Sequence, residues 1–220
     1  MPLEFDATRR RLVQGLALGA AAFFTVPGLF AQELALTPRQ TEGPFYPDHL
    51  PLDRDNDLIV VSDRTTPAVG QITHLSGRVL DARGTPVRDA VVEIWQVDGR
   101  GVYLHGGSDN AAARDANFQG YGRFQTGSAG EYRFRTIKPV AYPGRTPHIH
   151  FAVTSKGRER LTTQLYVRGE PRNERDGVLR GIRDARQRES VVVAFAPLPQ
   201  SRANELAARF DIVLGLTPQG

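Results

Sequence analysis

Two histidines separated by one residue, in Pro147-His148-Ile149-His150-Phe151, are the first feature with chemical content. In a β-strand the side chains at i and i+2 share a face, so both imidazoles point one way and Ile149 the other. Such a pair is half of a site for a divalent or trivalent metal. No Glu follows within seven residues of His150, and the other histidines, His49, His74 and His105, are remote in sequence. A zinc hydrolase built on the pair needs one of those three as its third ligand.

Two tyrosines in loop-like contexts offer a different donor. Tyr103 sits in Gly101-Val102-Tyr103, after a strand expected to end near Gln96. Tyr142 sits in Lys138-Pro139-Val140-Ala141-Tyr142-Pro143-Gly144, after a strand expected to end near Thr136. Either tyrosine alone is an ordinary packing residue. Beside the paired histidines they offer phenolate, a hard anionic oxygen with a free pKa of about 10. A trivalent iron can hold that oxygen ionised at neutral pH. Fe(III), two phenolates and one hydroxide sum to zero charge, and a neutral assembly avoids the cost of burying an unpaired ion.

The elements that must position these groups are short. β-branched and aromatic runs at Leu75–Leu80, Ala90–Gln96, Glu131–Thr136, His148–Val153, Leu161–Val167, Ser190–Phe195 and Phe210–Leu214 alternate with turn residues. Asp81-Ala82-Arg83-Gly84-Thr85-Pro86 is a strong turn between the first two. Seven short strands with almost no amphipathic helix predict an all-β fold, an antiparallel β-sandwich. Helical turns are expected only near Asp176–Ala185 and Asn204–Arg209. Residues 32–70, with Pro38, Pro44, Pro47, Pro51 and Pro67, are expected to form an extended arm on a sandwich domain spanning 71–220, the two making one domain. A non-catalytic transthyretin-like or immunoglobulin-like module would also fit residues 70–98.

Composition narrows the function classes. The 220 residues contain no Cys, which excludes disulfides, thiolate zinc sites, iron–sulfur clusters and a cysteine nucleophile. The net charge is +4, carried almost wholly by Arg, with Lys only at Lys138 and Lys156. Arginine spread through every segment is a solvated surface and not a nucleic-acid footprint. Gly127-Ser128-Ala129-Gly130 lacks the spacing of an esterase elbow. Gly120-Tyr121-Gly122 lacks the third glycine of a dinucleotide loop. At the start, Arg9-Arg10-Arg11 precedes an apolar run from Leu16 to Val26, closed by Pro27-Gly28. This predicts an export leader over residues 1–31, of twin-arginine type, with cleavage after Ala31 and a periplasmic or secreted product free of the membrane. The run is shorter than the ~20 residues a membrane span needs.

The joint order of several motifs carries a resemblance. Thr41-Glu42-Gly43-Pro44-Phe45-Tyr46, Trp95-Gln96, Gly101-Val102-Tyr103, Asn117-Phe118-Gln119-Gly120-Tyr121-Gly122-Arg123, Tyr132-Arg133-Phe134-Arg135-Thr136-Ile137-Lys138-Pro139, Tyr142-Pro143, Arg145 to His150, and Thr163-Gln164-Leu165-Tyr166 follow one another. The chain resembles the intradiol ring-cleavage dioxygenases, nearest the protocatechuate 3,4-dioxygenase branch. The resemblance implies Tyr103, Tyr142, His148 and His150 as Fe(III) ligands, with Arg145 and Gln164 in the positions of the family's active-site arginine and glutamine. It also implies a catechol-type substrate and O2 as partners, and a muconate-type diacid as product, whatever the oligomeric state. Two departures are visible. The segment from Tyr142 to His148 is shorter than in the best-known members and lacks their tryptophan, and it belongs to the substrate pocket.

Overall fold

The strand that organises the first sheet is β1 (Ile72–Asp81), whose Thr73, Leu75, Gly77 and Val79 are buried while Ser76 and Arg78 are exposed. That period of two gives the strand one apolar face and one wet face. In this computed structural model, which describes residues 34–61, 66–108, 110–199, 201 and 203–215, β1 pairs on one side with β4 (Glu131–Ile137), antiparallel, Leu75 opposite Phe134. It pairs in parallel with β9 (Leu206–Arg209) and β10 (Ile212–Leu214), and β8 (Phe195–Pro197) lies antiparallel to β9. The second sheet runs β3 (Tyr121–Gln125), β2 (Val91–Trp95), β5 (His148–Thr154), β6 (Leu161–Val167), β7 (Val192–Val193). It is antiparallel except at β6–β7.

The two sheets form the expected sandwich. Leu75, Val79, Phe134 and Ile137 share one core with Val92, Ile94, Ile149, Phe151 and Leu165. Two short helices, α1 (Gly177–Arg180) and α2 (Ala185–Ser190), follow β6. None of the described helices is long and apolar enough to cross a membrane. The expected leader, residues 1–31, and the first part of the arm lie outside the described residues.

Three details differ from the sequence reading. The helical turn expected near Asn204–Arg209 is instead strand β9. Leu206-Ala207-Ala208-Arg209 has helical propensity, but pairing with β1 and burial of Leu206 and Ala208 override it. β3 was not anticipated, because Tyr121-Gly122-Arg123-Phe124-Gln125 has no apolar alternation; pairing with β2 makes it a strand. The expected strand Ser190–Phe195 is divided, because the chain leaves one sheet after Val193 and enters the other at Phe195.

The arm, in its described part, has no strand beyond one bridge between Asp57 and Arg135. Leu58 and Ile59 are nevertheless fully buried. Gln40 lies along the edge of β6: its backbone N–H donates to Thr162 O at 2.8 Å, and its Oε1 accepts from Gln164 N at 2.9 Å. The arm therefore satisfies an edge that would otherwise expose unpaired backbone groups.

Among the described glycines, Gly77 has the least room for a side chain. A Cβ there would lie 1.8 Å from Phe210 O, the same carbonyl that accepts the Tyr132 hydroxyl. Gly77→Ala is expected to lower the unfolding free energy by about 2–3 kcal/mol, because backbone and not a flexible side chain must move. Gly177→Ala, with nothing within 4 Å of its Cβ, should change it by less than about 1 kcal/mol. Urea unfolding of both variants checks this.

Candidate metal centre

β5 is buried on both faces although only one faces the core. Ile149, Phe151 and Val153 enter the sandwich, while His148, His150 and Ala152 lie on the outer face. Register sets their neighbours: His150 lies between Trp95 on β2 and Gln164 on β6, and His148 is opposite Tyr166. The arm and loops cover this face with a smaller apolar cluster containing Trp95, Val97, Tyr103, Tyr121 and Ala152. Trp95 stacks on His150, centroids 4.8 Å apart and planes 10° apart. Phe45 of the arm stacks on Tyr103 at 4.8 Å, and Tyr46 meets Trp95 edge-on at 5.1 Å. Gly43, at φ +72° just before Phe45 and Tyr46, passes close to His150, where its Cβ would stand 3.6 Å from Cε1.

Under this cover three donor atoms converge. Tyr103 Oη lies 3.3 Å from His148 Nε2 and 3.1 Å from His150 Nε2, and the two nitrogens are 3.1 Å apart. Such spacing arises when three ligands each stand about 2.0–2.1 Å from one cation. His148 Nδ1 is 2.7 Å from Thr146 O. A carbonyl only accepts, so the proton is on Nδ1 and the Nε2 lone pair faces the cluster. Burial, then the charge of Arg145, lowers His148 to about 4. Burial, with His148 and Arg145, holds His150 well below its usual range. Both rings are thus neutral donors. Burial pushes the Tyr103 phenol well above its usual value, and Tyr142 adds to this. Only a nearby cation would hold it as phenolate, so the donor set fits a hard, highly charged ion.

The loops that bring the tyrosines in have clear local causes. Buried Asp98 accepts from the backbone of Arg100, Val102 and Asp115, which closes the turn just before Tyr103. Tyr142-Pro143-Gly144-Arg145 is a turn closed by Arg145 N to Tyr142 O at 3.0 Å, with Gly144 at φ +80° as a type II turn requires. Tyr142 stands half-buried at the mouth, its ring 5.4 Å from that of Tyr103 and 5.6 Å from that of His148.

Arg145 and Gln164 meet directly. Arg145 Nη2 donates to Gln164 Oε1 at 2.6 Å, and Arg145 Nε donates to Asp176 Oδ2 at 2.8 Å. Tyr166 also donates to Gln164 Oε1, and Gln40 Nε2 donates to the Tyr166 oxygen. Asp176 further accepts from Thr146 N and, as the N-cap of α1, from Val178 N and Leu179 N. Burial pushes its carboxyl up, but Arg145 and those amides outweigh it and hold Asp176 below its usual range. Gln40 and Asp98 carry no local spacing signal; Asp176 reads as a helix start and Phe45 as part of a motif, and nothing near either marks its contact with the site.

No third histidine joins the pair. His74 pairs with Glu205, His105 Nδ1 accepts from Gly107 N, and His49 lies beside Asp48. Among the described residues no three His, Cys, Asp or Glu side chains are placed to hold a metal. The third donor is a phenol, which leaves the zinc triad without a member.

Residues 41–215 match the family described as Dioxygenase. The chain is 38% identical over 168 residues to the protocatechuate 3,4-dioxygenase beta chain of Burkholderia cepacia, covering 73% of this chain and 71% of that one. The chain belongs to the intradiol ring-cleavage dioxygenases. It is 30% identical to the hydroxyquinol 1,2-dioxygenase of Rhodococcus opacus, over 78% of this chain and 61% of that protein's length. Among solved structures it superposes on the dioxygenase domain of a dioxygenase carbohydrate-binding protein fusion from Streptomyces sp. SirexAA-E. That match has a TM-score of 0.60 and 31% identity, and covers 83% of this chain and 99% of that one. An oxidoreductase of aromatic-compound breakdown is the class this family defines, and the sandwich module without chemistry is set aside.

In this dioxygenase the Asp176–Arg145 pair makes a testable contribution. Asp176 is held below 3.8, so the pair stabilises the fold fully above that pH and loses its effect as the pH falls through the folded value. Asp176→Asn should cost about 2–3 kcal/mol at neutral pH, somewhat less than a wholly buried pair. The difference from the parent should shrink as the pH is lowered below about 4. Urea midpoints across that range read it directly.

Proposed function

We propose that the chain is an Fe(III)-dependent intradiol dioxygenase that opens a catechol-type ring between its two hydroxylated carbons, giving a muconate-type diacid with both atoms of O2. The observation that carries this reading is the triangle of Tyr103 Oη, His148 Nε2 and His150 Nε2, with Tyr142 at its mouth. Those four residues would hold the ion. When bound, Fe(III) would supply a Lewis acid that favours the doubly deprotonated diol, and a ring bearing two oxyanions is electron-rich enough to react with O2.

The protein's own groups do the rest. Tyr103, His148 and His150 stay in place, fixed by Phe45 stacking, the Thr146 carbonyl and Trp95 stacking. Tyr142 is the most exposed of the four; held as phenolate by the ion, its Oη would be the base that takes up a diol proton and becomes the neutral phenol. Arg145 offers its guanidinium to negative charge developing on the ring, and Gln164 and Asp176 hold that guanidinium in advance. Phe45, Tyr46 and Trp95 exclude water from behind the histidines. The same reading places the enzyme in the periplasm or outside the cell, on the strength of Arg9-Arg10-Arg11 and the apolar run after it.

The purified protein should hold one iron per chain and be burgundy from phenolate-to-iron charge transfer. A His148→Ala, His150→Ala double variant should hold none. Stoichiometric iron in that variant, or a semialdehyde product from a catechol, would sink the assignment. Arg145→Ala should keep iron and colour yet lose about a hundredfold in turnover, the usual cost of one preorganised electrostatic donor. Its fold is monitored alongside, because Asp176 then loses its partner. A variant as fast as the parent would remove Arg145 from the chemistry.

A further inference from the structure

A cavity of about 660 Å3 opens beside the site, lined by two segments. One is Tyr142 to Thr146. The other is the 3-10 turn Pro171–Glu174 and the residues after it, which contribute Arg172, Arg175 and Asp176. The turn is built in place. Glu170 caps it by accepting from Arg172 N, Pro171 fixes its first residue, and Arg175 N closes on Arg172 O at 3.0 Å. Arg172 within the turn and Arg175, which caps its end, both line the cavity.

The turn is also tied to the site. Asn173 Oδ1 accepts from Thr146 Oγ1 at 2.8 Å, Asn173 Nδ2 donates to Val167 O, and Asp176 holds Arg145. Asn173 and Asp176 thus bind the site segment, while Arg172 and Arg175 are left facing the cavity. The only lining carboxylate, Asp176, is committed to Arg145 and to backbone amides. Neither the Arg172 nor the Arg175 guanidinium makes an ion pair with any described residue. Two uncompensated cations therefore line a space larger than a bare diol ring fills, in the size range of a substantial ligand.

Resting on the ring-opening reading above, we infer that the substrate is a catechol carrying a carboxylate on a side chain away from the ring, and that Arg172 and Arg175 bind that carboxylate. A guanidinium fork matches a carboxylate in two parallel hydrogen bonds. Arg145 beside Tyr142 is already engaged by Gln164 and Asp176, so the arginines left to meet an acid are those of the second segment, which carries none of the converging donor atoms. Both side chains are exposed, which keeps the effect moderate and sensitive to salt.

The test compares 3-(3,4-dihydroxyphenyl)propionate with its amide, and with 3,4-dihydroxybenzoate, on the iron-loaded enzyme. The propionate should exceed its amide about tenfold in kcat/KM, mostly through KM, and the ratio should fall toward one in Arg172→Ala, Arg175→Ala. Arg180→Ala, outside the cavity, should keep the ratio. Equal rates for acid and amide, a preference that survives the double variant, or faster turnover of the benzoate would each overturn the inference. Calorimetric binding under anaerobic conditions and oxygen uptake with unsubstituted catechol separate the two readings. Catechol consumed with no acid preference rejects the arginine subsite alone. Acid preferred in binding with no oxygen uptake on any diol rejects ring-opening and supports the subsite.

Discussion

The site depends on burying polar donors on the outer face of a sheet. His148 and His150 point away from the sandwich core, so nothing in the sandwich itself can shield them. A strand face of that kind ordinarily faces water and carries exposed polar residues. Here the arm, the loop holding Tyr103 and the turn holding Tyr142 together build a second small core over it. Every other feature of the site follows from the need to close that face while leaving one entrance. Stacking of Trp95 on His150 and of Phe45 on Tyr103 closes it from the back, and the half-buried ring of Tyr142 stands at the front.

The closed face is also balanced electrostatically. Two neutral imidazoles and a neutral phenol cost far less to bury than a lone guanidinium beside them would. Asp176 resolves this for Arg145, and it does so while capping α1, so that one carboxylate serves a helix end, a cation and the backbone of Thr146. Since Thr146 O fixes the proton of His148, the position of the helix is coupled through three contacts to the orientation of a histidine.

What was legible in the sequence was local. The His148–His150 spacing, the β-branched and aromatic runs at Leu75–Leu80 and Glu131–Thr136, and the loop-like context of Tyr142 are short-range signals, and the structure shows strands and a turn at those places. What was not legible depends on partners far along the chain. β9 is a strand because β1 offers it an edge, and β3 because β2 does. Asp176 looked like the start of a helix, which it is; its grip on Arg145, 31 residues earlier, leaves no trace in spacing. Gln40 sat among prolines and threonines with nothing to mark it, yet it satisfies the edge of β6.

That placement of Gln40 has a kinetic meaning. Its side chain and the backbone of Thr41 reach Gln164 and Tyr166 across separations of 123 to 126 residues. Loops of that length close late, because their entropy must be overcome before any contact rewards them. During synthesis the arm emerges before the strand it covers, so its contacts with β6 cannot form until that strand has been made. The cover is made before the face it covers.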